Sequence, residues 1–166
     1  RRGPVSPQEV ALLVTSGRVR AEDAVADLLD ATARAVFRHE RVVVGHLFSV
    51  LPKAGLGLHL VTLEMLETLA AACRDAGAAV EVNEKWRTPS QDVVRVLCSL
   101  GVEIVASSDA HAPAAVGVWS HVADVAADAR VGDARHSFQT FSSARPRRPS
   151  ALRRSTTSAA SATSEA

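Results

Sequence analysis

The sequence has few aromatic and few sulfur-containing residues. Its 166 residues include no tyrosine, two tryptophans, one methionine and two cysteines. With so few aromatic side chains, a stacking platform for nucleic-acid bases is not expected. Cys73 and Cys98 are too far apart in sequence to form a CxxC pair, so we expect both thiols to be reduced and structural.

Long apolar runs and a strong overall charge are also missing. No apolar stretch approaches the length needed to cross a membrane, and no apolar signal region follows Arg1. The net charge of +1 hides a division, because five arginines lie after residue 144 and the chain before that carries 14 basic and 17 acidic residues. A slightly acidic body argues against a nucleic-acid surface. We therefore expect a cytoplasmic protein with neither membrane nor nucleic-acid partners, and we leave its oligomeric state open.

The content of hydrophobic residues, 47%, is sufficient for one domain with its own core. We expect a helical lead-in over residues 1–40 and an α/β body over 41–130. From 141 to 166 the chain consists mainly of Ser, Thr, Ala, Arg and Pro, which predicts a disordered tail. Its arginines are interpreted as solvated charges in preference to a nucleic-acid or membrane contact.

Two helices are predicted in the lead-in. Ser6 and Glu9 have the spacing of a capping box with Pro7 at the first helical position, and Gly17 should end this helix. Apolar residues at helical spacing predict a second helix over 21–38.

The body alternates between Val-rich runs and helix-like segments. The runs are Val42–Val44, Ala78–Val82 and Val102–Ala106. Short continuous apolar runs separated by helices are typical of buried parallel strands covered by crossover helices. Helices are predicted over 62–75 and after Thr88, where Thr88 and Gln91 have the spacing of a second capping box. The predicted class is α/β with a parallel sheet.

Each apolar run leads into polar residues that can bind a metal or activate water. Asp109 and His111 follow the third run, and on an extended backbone residues i and i+2 point to the same side. A carboxylate and an imidazole suit zinc, manganese or iron. The alternative is that Asp109 caps a turn and His111 is an ordinary loop histidine. His46 follows the first run, and Glu81 and Asn83 lie at the end of the second.

With these residues in view, the chain resembles the polymerase and histidinol phosphatase (PHP) superfamily of metal-dependent phosphoesterases. The matching segments, in order, are Val44-Gly45-His46-Leu47, Val80-Glu81-Val82-Asn83 and Ser108-Asp109-Ala110-His111, the last followed by Val116-Gly117. The resemblance covers roughly residues 35 to 125. It implies an irregular barrel of parallel strands and helices, up to three divalent metal ions, and hydrolysis of a small phosphomonoester, as in histidinol phosphatase.

The resemblance also implies roles for particular residues. His46, Asp109 and His111 would be metal ligands, and Glu81 would coordinate, orient a ligand or accept a proton from water. The alternative for Glu81 is a buried carboxylate satisfied by backbone donors. Asn83 would hydrogen-bond substrate or Glu81.

Two cations follow the second run. Lys85 and Arg87, near the start of the next helix, would contact the substrate phosphate. The alternative for both is a solvated surface charge. Trp86, between them, is expected to pack against the protein.

The main departure from the family is the absence of a His-x-His pair, which in the family completes the metal cluster. The six histidines are His39, His46, His59, His111, His121 and His136. We therefore expect the chain to be the carboxyl-terminal portion of a larger domain with an incomplete site. The alternative is a non-catalytic metal-binding or structural remnant of a PHP domain.

Overall fold

The computed structural model describes residues 5–39 and 41–132, with side chains up to Asp128. The lead-in forms helices α1 (Pro7–Thr15) and α2 (Ala21–Phe37), as predicted. The capping box of α1 is confirmed, since the Glu9 amide donates to Ser6 Oγ at 3.2 Å and the Ser6 amide donates to Glu9 Oε2 at 2.7 Å. The predicted tail over 141–166 lies outside the described residues.

The body contains three strands and three helices. In chain order they are β1 (Val43–Val44), α3 (Leu63–Ala76), β2 (Ala79–Asn83), α4 (Gln91–Ser99), β3 (Glu103–Ser107) and α5 (His121–Gly132). Short 3-10 helices occur at Pro52–Ala54, Leu58–Leu60 and Pro113–Ala115. Thr62 caps α3, since its Oγ1 accepts from the Met65 amide, and Gly77 ends that helix in the left-handed conformation.

The three strands form one parallel sheet in the order β1-β2-β3. Val80 pairs with Val44 on one side and with Ile104 on the other. Alternate side chains face opposite ways, and Val80, Val82 and Ile104 join the buried core that includes Leu69 of α3 and Leu97 of α4. The predicted α/β class with parallel strands is therefore confirmed, as a three-stranded sheet in the part of the chain that is described.

Both cysteines belong to the body helices and are free thiols, Cys73 buried and Cys98 half-buried. Burial raises the pKa of the Cys73 thiol to about 11, which keeps it protonated near neutral pH. The expected structural role of Cys73 agrees with this environment. Over residues 5–39 and 41–132, no helix combines the length and the apolar composition required to cross a membrane.

The capping box predicted at Thr88 is wrong. The helix begins at Gln91 with Ser90 at the N-cap, and no side chain caps it. The Thr88 hydroxyl instead donates to the carbonyl of Leu47, in the segment after β1. A long-range partner has therefore replaced the local one that the spacing suggested.

Candidate functional site

The polar residues predicted for the site lie at the carboxyl edge of the sheet. Three segments leave the strands there, residues 45–48 after β1, 84–87 after β2 and 108–111 after β3, and we call them the rim. Because β1, β2 and β3 are adjacent and parallel, these segments are neighbours in space. The rim therefore contains His46, Lys85, Asp109 and His111, with Glu81 and Asn83 just below it in β2.

Glu81 lies on the sheet face opposite the helices and is half-buried. Its Oε2 accepts hydrogen bonds from the backbone amide of His46 at 2.5 Å and from Asn83 Nδ2 at 3.2 Å. The carboxylate is thus held by donors from two strand ends. This contact agrees in part with the alternative of a carboxylate satisfied by backbone donors, although Glu81 is not fully buried.

Asn83 is the most buried polar residue of the site, at 1% exposure. Besides donating to Glu81, its Oδ1 accepts from the backbone amide of Trp86 at 2.9 Å. Its own backbone exchanges hydrogen bonds with Thr88. The amide side chain therefore orients Glu81 and fixes the turn after β2 at the same time.

The backbone amide of His46 donates to Glu81, whereas its imidazole ring contacts Ser49 and Trp86. The backbone is left-handed, with φ of 32°, and Nδ1 lies 2.9 Å from Ser49 Oγ. The ring is tilted against Trp86, with 6.2 Å between the ring centroids. The predicted metal ligand is thus at the rim, with its imidazole packed beside Trp86.

Asp109 and His111 lie close together, as predicted. His111 Nδ1 is 2.7 Å from the Asp109 carbonyl oxygen and 3.6 Å from Asp109 Oδ1. The backbone at Asp109 is left-handed, with φ of 47°, so a turn brings the two side chains together. The expectation of an extended backbone through Asp109 is therefore wrong, because the strand has already ended at Ser107.

A complete metal centre does not form from the described residues. Over 5–39 and 41–132, no three His, Cys, Asp or Glu side chains are grouped so that they could hold an ion. Asp109 and His111 supply two potential ligands, and protein-bound zinc usually has three or four. The donor set that is present therefore does not fit a complete centre.

Cations gather around Trp86 at the rim. Lys53 Nζ lies 4.1 Å from the centre of the Trp86 ring and Lys85 Nζ lies 5.7 Å from it. Lys85 Nζ is also 3.1 Å from His111 Nδ1 and 3.2 Å from His111 Nε2. Trp86 is 40% exposed, so its indole is open to these lysines while it also packs against the His46 ring, and the expected packing against the protein is met in part.

Arg87 and Glu84 connect the rim to α5. Arg87 Nη1 is 3.4 Å from Ser120 Oγ, and that hydroxyl donates to Glu84 Oε1 at 2.6 Å. Glu84 also accepts from the backbone amides of His121 at 3.1 Å and Val122 at 2.9 Å. A carboxylate that binds these exposed amides caps the positive end of α5.

The hydrogen bonds determine the ionisation of Glu84. Partial burial of the carboxylate would raise its pKa, but donation from the Ser120 hydroxyl and from the Val122, His121 and Ser120 amides outweighs that effect. Together they lower the pKa of Glu84 to about 2. Glu84 is therefore ionised at neutral pH and is engaged in holding the turn that presents Lys85.

Two cavities lie side by side at this edge of the sheet. One of about 390 Å³ is lined by Val43, Glu81, Val105, Ala106, Ser107, Ser108 and Trp119. The other, of about 530 Å³, is lined by Glu84, Lys85, Ser108, Asp109, His111, Ala112, Ala114, Ala115 and Val118. Ser108 lines both, so Glu81 and the Asp109–His111 pair belong to adjoining cavities.

Sequence reasoning did not identify Glu84 or Trp86 as site residues, and it considered Lys53 only as a cation that could approach an anionic substrate. The contacts of Glu84 are 36 to 38 residues away in sequence, so no local pattern indicates them. A tryptophan between Lys85 and Arg87 was an available signal, since cations are attracted to an indole face. Lys53 comes from a 3-10 helix and is brought to Trp86 by the fold alone.

Comparison with known proteins adds no relative. No protein-family model, no curated protein and no solved structure matches the chain.

Proposed function

We propose that the chain is part of a metal-dependent phosphoesterase of the PHP type and that the rim receives the phosphate of a small phosphomonoester. The observation that supports this most strongly is positional. The three segments that resemble PHP motifs end adjacent parallel strands, and Asp109 Oδ1 lies 3.6 Å from His111 Nδ1. An irregular barrel of the PHP type would require strands beyond the three in the described sheet.

The two lysines beside Trp86 support an anionic substrate. Lys53 and Lys85 flank Trp86, and Lys85 lines the 530 Å³ cavity together with His111. An ammonium group that lines a cavity of this size suits a small phosphate ester. Lys85 is the proposed phosphate contact. Arg87, directed toward Ser120, would contribute through its charge.

Asp109, His111 and, after rotation of its ring, His46 would be ligands in a zinc, manganese or iron centre. A divalent ion supplies water activation and charge neutralisation in phosphoester hydrolysis. Because the described donors do not fit a complete centre, we assign no hydrolytic step to a metal held by them alone. Further donors would have to come from outside the described residues.

Glu81 has a role that does not depend on a metal. Its carboxylate accepts from the His46 amide and from Asn83, so it fixes the position of the segment after β1 relative to β2. It also lines the 390 Å³ cavity, where a carboxylate can accept a proton from water. We propose Glu81 as the general base and Asn83 as the residue that orients it.

One observation favours a second function, a non-catalytic remnant that binds a metal weakly or only maintains the fold. Two ligands hold a divalent ion much less tightly than three or four do. The absence of a third converging donor among the described residues is what such a remnant would show.

The test combines metal content with hydrolysis of p-nitrophenyl phosphate in added manganese or zinc. We expect the wild-type chain to retain about one ion after dialysis and the variant Asp109→Ala with His111→Ala to lose both the ion and the turnover. The control, Asp27→Ala with His39→Ala, removes an exposed carboxylate and an exposed imidazole from the lead-in and should change neither.

The possible outcomes separate the two functions. An ion without turnover in the wild-type chain would favour the remnant. Equal metal content in the wild-type chain and the Asp109/His111 double variant would show that the ion binds elsewhere and would contradict the proposed site.

A further inference from the structure

The 390 Å³ cavity beside Glu81 combines a carboxylate with apolar walls. Val43, Val105 and Trp119 line it with apolar surface, and Glu81 contributes the negative charge. Among the described residues, no lysine, arginine or histidine side chain lines this cavity or forms a salt bridge with Glu81. A carboxylate in such surroundings favours a positively charged ligand, because the ligand compensates its charge.

One oxygen of the Glu81 carboxylate has no hydrogen-bond donor among the described residues. Both donors that reach this side chain, the His46 amide and Asn83 Nδ2, bind Oε2. They are neutral groups, so they offset only part of a full negative charge. Oε1 can therefore accept hydrogen bonds from a ligand while the protein holds Oε2.

A serine hydroxyl lies on the same face of the sheet as this carboxylate. Glu81 pairs with Val105, and Ser107 is two residues farther along β3, so its side chain projects to the same side as that of Glu81. Ser107 Oγ accepts from the Asp109 amide at 3.1 Å and retains a second lone pair. An ammonium group has three N–H donors, and Glu81 Oε1 and Ser107 Oγ are acceptors for two of them.

Trp119 gives the cavity an aromatic wall. It is 41% exposed, and both described contacts between a lysine and an indole ring involve Trp86 instead. No lysine or arginine of the described residues therefore lies over the Trp119 ring. An ammonium ion is attracted to an indole face, so this wall adds to the affinity for a cation.

We propose that this cavity binds a small aliphatic amine in its ammonium form. The charged end binds Glu81 Oε1 and Ser107 Oγ, and the aliphatic chain lies against Val43, Val105 and Trp119. A divalent metal ion fits less well, because Glu81 is the one carboxylate among the described lining residues and they contain no group of three metal ligands. The volume of 390 Å³ suits an amine of about four to six carbon atoms.

This inference goes beyond the proposed function, because binding of the amine requires neither a metal nor hydrolysis. It also has a consequence for that function. An ammonium group on Oε1 occupies an oxygen of the proposed general base, so a bound amine would inhibit proton transfer from water to Glu81.

The test is a titration of n-butylammonium into the ¹⁵N-labelled full chain at pH 7, followed by NMR without added metal. The amine is charged at this pH, since an alkylammonium group has a pKa of about 10. The chain has two tryptophans, so the indole N–H of Trp119 gives one of two such signals and Trp86 supplies the internal reference. We expect the Trp119 signal to shift and saturate with a Kd on the order of 1 mM, and the Trp86 signal to stay in place.

A neutral ligand and a charge variant test the contact with Glu81. n-Butanol has the same carbon chain without the charge and should bind at least about tenfold more weakly. Glu81→Gln keeps an oxygen for the His46 amide and removes the charge, so it should weaken butylammonium binding about tenfold. Glu103→Gln is the matched control, because Glu103 is an exposed carboxylate on the same sheet face that does not line the cavity. Its affinity should stay within about twofold of wild type.

A second variant keeps the test decisive if Glu81→Gln does not fold, which the dispersion of its NMR signals reveals. Trp119→Leu removes the aromatic wall at a partly exposed position, so this variant should fold. It should bind butylammonium about threefold more weakly, as followed at the backbone amide of Val105.

The outcomes are distinct. Saturable binding of butylammonium that exceeds that of butanol and is weakened in Glu81→Gln supports the amine site. A Trp119 signal that does not move, equal affinity for butanol, or unchanged affinity in Glu81→Gln would each overturn it. The titration contains neither metal nor phosphoester, so its failure would leave the proposed function standing.

Discussion

The two faces of the sheet are made by the same strands and present different residues where they reach the carboxyl edge. Val80 and Val82 of β2 are fully buried on the helix-covered face. Glu81, between them in sequence, lines a cavity on the other face, and Val43 beside it is 41% exposed. The comparison shows that strand alternation takes the chain from a buried core to a cavity that contains a carboxylate within a distance of one residue.

Backbone conformation also differs between the core and the rim. Among the described residues, five other than glycine have positive φ, namely Arg41, His46, Phe48, Arg87 and Asp109. The last four lie in or directly beside the turns after the strands. Left-handed backbone is unfavourable for such residues, and it persists where surrounding contacts enforce it. Stability is therefore concentrated in the core, and part of it offsets conformational strain at the rim.

The largest expected effect comes from the core. Leu69 of α3 is fully buried, and Leu69→Ala should lower the free energy of unfolding by about 2–5 kcal/mol through lost burial and a cavity. Leu63 of the same helix is 58% exposed, and Leu63→Ala should cost less than about 0.5 kcal/mol. Urea unfolding measures both. Equal costs would contradict the packing of Leu69 in the core.

An intermediate effect is expected at Glu84, where the rim joins α5. Glu84→Gln removes the charge that binds the start of that helix and should cost about 1 kcal/mol at pH 7, a value reduced for partial exposure of the carboxylate. The control is Glu103→Gln, which changes an exposed carboxylate in β3 and should be nearly neutral.

The pH dependence of this contribution has a definite sign. The pKa of Glu84 is about 2 in the folded protein, whereas a carboxyl group without these contacts has a pKa of 4.5. The folded state therefore favours the ionised form. The stabilisation is fully present above about pH 4.5 and is lost as the pH falls toward 2. Urea unfolding between pH 6 and pH 3 should show a smaller decline for Glu84→Gln than for wild type. Parallel curves would show that Glu84 does not cap α5.

The smallest effect tests the strain at the rim. Arg87 has φ of 50°, a conformation that glycine adopts freely, so Arg87→Gly should leave stability unchanged or raise it by up to about 1 kcal/mol. Arg34→Gly, within α2, should instead cost about 1 kcal/mol. Thermal unfolding compares the two. A clear loss at Arg87 would mean that its side chain stabilises the turn more than the backbone strains it.

Local patterns were sufficient for most of the helices and strands. The Ser6–Glu9 capping box and the glycine at 77 place helix ends within a residue or so of where they occur. Alternating Val-rich runs and helices predicted the parallel sheet. These signals act through neighbouring residues, so the sequence displays them directly.

Contacts between distant segments could not be predicted in the same way. Thr88 has the spacing of a helix cap, but its hydroxyl donates a hydrogen bond to the carbonyl of Leu47, 41 residues away. In the sequence, Glu84 is one charged residue in a polar turn. Only the fold brings the start of α5 into contact with its carboxylate. The sequence indicated which residues gather at the rim. It did not indicate that Lys85 would lie against His111, because that requires the three-dimensional arrangement of two turns.

The brevity of β1 has a consequence for any ligand that uses His46. Only Val43 and Val44 pair with β2, so few backbone hydrogen bonds hold this strand to the sheet. A short edge strand opens at a lower free energy than the centre of a fold and exchanges its amide hydrogens sooner. The first turn of the rim is therefore the least preorganised of the three, and a ligand that binds there loses part of its affinity to the ordering of the turn.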